Sequence, residues 1–122
     1  MNKKVLLIED EPNIIEAVSF ILSREGWEVK THSNGHDAVD AVRKRDPDLV
    51  ILDVMLPGKS GFEILQDIRA DTAMADLPVL MLTARGQVKD REMAERFGVS
   101  RFMTKPFSNA DVLDAVRDLV AP

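Results

Sequence analysis

Residues 5–12 read Val5-Leu6-Leu7-Ile8-Glu9-Asp10-Glu11-Pro12. Four apolar residues run straight into three acids, and a proline follows. A short unbroken apolar run reads as a strand buried on both faces, as in a parallel sheet. Proline is favoured in the first turn of a helix. The acids therefore occupy the connection between a strand and the helix after it. The pattern returns along the chain. Leu49-Val50-Ile51-Leu52 runs into Asp53, Val79-Leu80-Met81-Leu82 into Thr83, and Phe102-Met103-Thr104 into Lys105-Pro106. Trp27-Glu28-Val29-Lys30-Thr31-His32 instead alternates apolar and polar residues, which suits a sheet edge.

Helix patterns separate these runs. The first opens at Pro12, closes at Gly26, and sets Ile14, Ile15, Val18, Ile21 and Leu22 on one face. The second spans about His36 to Arg45 and stops before Pro47. The third opens with Ser60-Gly61-Phe62-Glu63, a capping-box pattern. The fourth, about Gly86 to Phe97, is weakly apolar and highly charged, and Gly98 ends it. The fifth opens at Ser108, with Asp111 three residues on, and is expected to bury Val112, Leu113, Val116, Leu119 and Val120. Five βα units with short connections predict a doubly wound (βα)5 α/β domain with helices on both faces. The flavodoxin-like strand order 2-1-3-4-5 puts the alternating strand outside and makes the gap between strands one and three the switch point, where ligands bind.

Bulk composition sets limits. A length of 122 residues with 45% hydrophobic content suits one domain over 1–122 with one core. No apolar stretch is long enough to span a membrane, and Met1-Asn2-Lys3-Lys4 starts no signal-peptide pattern. Cysteine is absent, which excludes disulfides and thiolate metal sites. A cytoplasmic location is expected. The net charge of -5 disfavours nucleic acid as a direct partner.

Glu9, Asp10, Asp53, Thr83 and Lys105 all fall at the carboxyl edge of the expected sheet. Three acids, a hydroxyl and an amine there suggest a metal-assisted phosphate site. Mg²⁺ prefers oxygen ligands and keeps several waters. Asp10 and Asp53 offer carboxylate oxygens, Glu9 could bind through water, and the Met55 carbonyl could complete the set. Without metal, two carboxylates ~5 Å apart repel by roughly 3 kcal/mol at an effective dielectric near 20. A phosphoryl group on Asp53 would need its added oxygens neutralised, for which Mg²⁺, Lys105 and the Thr83 hydroxyl are the right types. The bond between Lys105 and Pro106 is a candidate cis peptide that could aim the lysine at the acids. His32 and His36 fall too far from the acids in this layout to be ligands. The six methionines are read as fillers of core gaps. Trp27 is read as packing, and Gly58 and Gly61 as permitting a tight turn after Asp53.

Four pieces together resemble the receiver domain of bacterial two-component response regulators, the chemotaxis-regulator-like fold. They are Leu7-Ile8-Glu9-Asp10-Glu11, Leu52-Asp53-Val54-Met55-Leu56-Pro57-Gly58, Leu82-Thr83-Ala84 and Lys105-Pro106-Phe107. The resemblance implies that Asp53 accepts a phosphoryl group from a phosphohistidine on a sensor histidine kinase or a histidine phosphotransfer protein. It implies that Glu9 and Asp10 hold Mg²⁺, that Lys105 pairs with the phosphoryl oxygens, and that Thr83 swings toward them. Phe102 matches the switch aromatic that turns inward on activation, and helix four, strand five and helix five would form the output face. Position 9 is Glu where Asp is commonest. The switch aromatic lacks the hydroxyl of the common Tyr, so burying it carries no polar desolvation. Met55 and Arg85 match positions that influence dephosphorylation rate.

The expectation is thus a phosphoacceptor switch in a phosphorelay, not a turnover enzyme, which promotes its own phosphorylation and slow dephosphorylation. It would act on a downstream protein as a monomer or a phosphorylation-dependent dimer. With Met1 present and the chain stopping at Ala121-Pro122, a single-domain regulator is expected. A flavin carrier on the same fold fits poorly, because Glu9-Asp10-Glu11 repels a phosphate where such proteins use Gly and hydroxyl residues. A haloacid-dehalogenase-type phosphohydrolase would carry Asp-x-Asp after the first strand. A receiver-like binding module that is never phosphorylated is the remaining alternative.

Overall fold

Each apolar run becomes a strand. The computed structural model describes residues 3–84 and 88–120. The strands are β1 (Lys3–Ile8), β2 (Trp27–His32), β3 (Leu49–Asp53), β4 (Val79–Thr83) and β5 (Arg101–Thr104). The helices are α1 (Pro12–Arg24), α2 (Ala38–Arg45), α3 (Gly61–Ala70), α4 (Val88–Arg96) and α5 (Asn109–Val120). All strand pairs are parallel, in the order β2-β1-β3-β4-β5. The alternating strand lies at the edge, as its polar positions require.

Side chains alternate across a strand, and this divides the core in two. Leu6, Ile8, Val50, Leu52, Val79 and Met81 face the side covered by α2, α3 and α4. Val5, Leu7, Leu49, Ile51, Leu80 and Leu82 face α1 and α5. β3 and β4 are buried along their whole length. Trp27 packs into the α1–α5 side.

Helix boundaries follow local chemistry, with some departures from expectation. α2 starts at Ala38, not His36. The backbone N–H of Gly35 donates to the Pro57 carbonyl at 2.9 Å, and that of His36 to Asn34 Oδ1 at 2.7 Å, so residues 34–37 are used in a turn. Asp46, at φ 48, closes α2 ahead of Pro47. The Ser60 hydroxyl accepts from the Glu63 N–H at 3.3 Å, capping α3 as its sequence indicates. Ser108 and Asp111 cap α5 reciprocally. α5 buries Val112, Ala115 and Val116, while Leu113, Leu119 and Val120 are only partly covered. The methionine expectation holds for Met74 and Met81 but not for Met55, which is 54% exposed. Met55 follows the end of β3, where the chain has left the sheet. The expected start of helix four at Gly86, together with Arg85 and Ala121-Pro122, lies outside the described residues.

One side chain ties two loops together at the end of the sheet opposite the acids. Arg69 Nε donates to the Gly98 carbonyl at 2.8 Å and Nη1 to the Leu77 carbonyl at 2.7 Å, while Nη2 reaches Ser100 Oγ at 3.3 Å. Gly98, at φ +90, ends α4, and a Cβ there would meet the Arg69 side chain at 3.2 Å. The guanidinium thus fastens the C-terminal end of α4 to the α3–β4 connection. Arg69→Met is expected to cost about 2 kcal/mol, because it leaves the partly buried Leu77 carbonyl without this donor and releases the Gly98 end of α4. Urea unfolding of the two proteins checks this, and equal midpoints would refute it.

Candidate functional site

The parallel register gathers the strand ends. Ile8 pairs with Leu52 and Asp53 with Leu82, so Glu9, Asp53 and Thr83 leave the sheet at adjacent points. The Lys105 N–H donates to the Thr83 carbonyl at 2.7 Å, which carries β5 one residue further beside β4. The bond from Lys105 to Pro106 is cis.

Glu9, Asp10 and Asp53 each offer a carboxylate oxygen within 4.8 Å of the others. Their burial differs sharply. Glu9 is 1% exposed and Asp53 4%, while Asp10 faces solvent. Glu9 is held on every side. Its Oε1 accepts from Lys105 Nζ at 2.9 Å, and its Oε2 accepts from the backbone N–H groups of Asp10 and Glu11 at 3.1 and 3.2 Å. It also shares a side-chain hydrogen bond with Asp53. Lys105 Nζ stands 3.6 Å from both Asp53 Oδ1 and Glu11 Oε2.

These contacts set the ionisation. Burial, followed by the hydrogen bond to Glu9 and the Glu9 charge, pushes Asp53 up to about 7; the Lys105 charge and the Met55 N–H act against this. Burial alone would lower Lys105. The hydrogen bond to Glu9 and the charges of Asp53, Glu9 and Glu11 more than offset it, so Lys105 sits above its ordinary range and is ammonium. The pocket is therefore a crowded acid set that, among the described residues, encloses the Lys105 cation. Its all-oxygen donors suit a hard divalent ion such as Mg²⁺.

Thr83 is fully buried at the end of β4. Phe102 is buried in the core under α4, with the Arg91 guanidinium 5.0 Å above its ring. Neither histidine joins the carboxylate group. His32 is nevertheless near it in the main chain, since its carbonyl accepts from the Glu9 N–H at 2.9 Å. Its ring bonds Asp37 at 2.6 Å, and His36 is exposed. A cleft of about 600 Å³ between α2 and α3 lies elsewhere, lined by His36, Arg43, Lys59, Asp67 and Asp71 among others. Its charges are spent on one another: Arg43 pairs with Asp40 and Asp71, and Lys59 with Asp67. The carboxylate edge is the site with chemistry to offer.

Glu11 is a neighbour of Lys105 that the sequence pattern did not single out. The signal was present, since Glu11 is the third acid of an unbroken run.

The sequence model of the response regulator receiver domain matches residues 5–117. TcrX of Mycobacterium tuberculosis, named as a probable transcriptional regulatory protein, is 42% identical over 116 residues, which are 95% of this chain and 49% of that relative. The chain thus spans about half the length of this curated relative. Among solved structures, the BeF3-activated N-terminal receiver domain of Klebsiella pneumoniae RstA is similar at a TM-score of 0.90 and 26% identity, covering 98% of this chain and 100% of that one. The receiver domain of a sensor histidine kinase from Pseudomonas aeruginosa, solved with a magnesium ion coordinated in its active-site cleft, is similar at a TM-score of 0.90 and 25% identity, covering 100% of both chains.

Proposed function

The chain belongs to the response regulator receiver domain family, and from that premise we propose that Asp53 accepts a phosphoryl group from a phosphohistidine on a sensor histidine kinase or a histidine phosphotransfer protein. One observation carries the reading. Asp53 is nearly buried between a second acid and a lysine 3.6 Å away, at the carboxyl edge of the sheet. A structural carboxylate would be expected to be neutralised by its partners, whereas this one is pushed up to about 7 and is primed to gain from added positive charge.

In the transfer, an oxygen of ionised Asp53 attacks phosphorus, and the P–N bond to the donor histidine breaks. The histidine nitrogen keeps the electron pair, and Asp53 becomes an acyl phosphate. Lys105 exchanges Glu9 for a phosphoryl oxygen, and the Thr83 hydroxyl donates to another. Glu9, Asp10, Asp53 and the Met55 carbonyl would hold Mg²⁺, which when bound supplies positive charge beside the phosphoryl oxygens. These residues promote phosphorylation and slow dephosphorylation of their own chain, as a switch rather than a turnover enzyme.

The response is read out on α4, β5 and α5 by a protein target. α4 buries only Asp90 and Ala94 of its nine residues, so little apolar packing resists its movement. We place the reaction in the cytoplasm, where phosphohistidine donors are made. No helix among the described residues is long and apolar enough to cross a membrane.

Incubation with acetyl phosphate, with and without Mg²⁺, tests the assignment by intact mass. Labelling is expected only with Mg²⁺ and only when Asp53 is present, so Asp53→Ala abolishes it. Absence of label from both acetyl phosphate and a phosphohistidine donor would instead leave a protein-binding module that phosphorylation does not regulate.

A further inference from the structure

Three carboxylates surround the Lys105 ammonium group, and one of them has no role in the chemistry above. Glu9 is 2.9 Å away and Asp53 3.6 Å; Glu11 Oε2 is also at 3.6 Å. Glu11 stands at the N-cap of α1, a position where a side-chain oxygen ordinarily bonds the helix amides. It makes no such cap bond. Its carboxylate turns toward Lys105 instead.

We propose that Glu11 is a positioning residue that holds Lys105 back from phosphoryl groups and makes the pocket discriminate against small free acyl phosphates. The inference rests on the phosphoacceptor reading.

Two physical effects act in the same direction. The first is competition for the lysine. To serve a phosphoryl group, Lys105 must give up a carboxylate. Glu9 is anchored by two backbone amides as well as by the lysine, so it cannot follow Lys105 as it moves. Glu11 has a side chain 54% exposed and can follow it. An ion pair between two exposed side chains would be worth little. Here the lysine end is only 13% exposed, so water screens the attraction less. The second effect is repulsion at the rim. An exposed carboxylate beside the entrance meets any incoming phosphate with like charge. A small acyl phosphate has only its own binding energy to set against both. A donor protein adds binding contacts of its own to offset them.

The test compares wild type, Glu11→Gln, Glu11→Asp and Glu16→Gln, all with Mg²⁺. Glu16 is an exposed acid further along α1, and its substitution changes net charge equally. In labelling by acetyl phosphate, an Asp53 oxygen attacks phosphorus, the P–O bond to the acetyl group breaks, and acetate leaves with the electron pair. Glu11→Gln is expected to lower the half-saturating acetyl phosphate concentration roughly fivefold, with a smaller change in the rate at saturation. It should tighten beryllofluoride binding by a similar factor in titration calorimetry. Glu11→Asp, which restores the charge, should return both values toward wild type. Unchanged or weaker binding in Glu11→Gln overturns the proposal, as does an equal gain in Glu16→Gln, which would assign the effect to net charge. If wild type takes neither label nor beryllofluoride, the phosphoacceptor reading falls and this inference falls with it.

Discussion

Metal-free Asp53→Asn protein is expected to be more stable than wild type at pH 8, by about 3 kcal/mol, and nearly equal to it at pH 4. Asp53 has an ordinary value of 3.8 and is pushed up to about 7 in the folded chain. Between these values the folded protein binds a proton that the unfolded chain has released. Stability from this group is therefore complete below about pH 4 and lost as the pH rises through 7. The span corresponds to a ceiling of about 4 kcal/mol, reduced by water reaching the rim. Asparagine has the same shape, keeps an acceptor for the Met55 N–H, and never charges against Glu9. The gain should move the thermal midpoint by on the order of 8 °C. Urea unfolding from pH 4 to pH 8 is the measurement. Equal stability at pH 8, or a gap that stays constant with pH, would show that Asp53 is held as a structural ion. Millimolar Mg²⁺ should raise wild type by mass action and raise the variant much less.

Gly61→Ala is expected to cost about 3 kcal/mol or more and to remove phosphoryl acceptance with it. Gly61 is the first residue of α3, and its N–H donates to the Val54 carbonyl at 2.8 Å. A Cβ here would lie 2.3 Å from the Asp53 carbonyl oxygen and 2.8 Å from Val54 Cα. Both obstacles are backbone, so no flexible side chain can give way. Either the start of α3 retreats or the end of β3 shifts, and the second moves Asp53 relative to Lys105. Gly26→Ala is the comparison. A Cβ there meets none of the described residues within 4 Å, and its φ of +90 accounts for a cost of about 1 kcal/mol. A Gly61→Ala cost no greater than that of Gly26→Ala in urea unfolding would remove the close approach as the reason for glycine.

Several features of the site are legible in the chain because each is local. An apolar run that stops at an acid marks a strand end, and the ends of parallel strands share one edge. Glu9, Asp10, Asp53, Thr83 and Lys105 fall together on that logic, without knowledge of a single contact. Ser60 and Ser108 announce helix starts in the same local way. Arg69 leaves no comparable signal. An arginine on a helix reads as a solvated charge, and its acceptors at Leu77, Gly98 and Ser100 come from connections that the pattern does not relate to it. Gly35 is silent for the same reason. A Cβ there would lie 2.1 Å from the Lys59 carbonyl, in a loop that is distant in sequence.

The amino-acid sequence by itself determined the five strands, their parallel order and the residue types at the reactive edge, because periodicity and punctuation act within a few residues of chain. Only the tertiary structure decided which acid is buried and which is exposed. Glu9 turns inward to a lysine 96 positions away while Asp10 faces water. That choice, the upward shift of Asp53 and the hold of Glu11 on Lys105 depend on distances of a few ångströms between separate strand ends. Electrostatic energy changes steeply over such distances, and no local pattern in the chain encodes them.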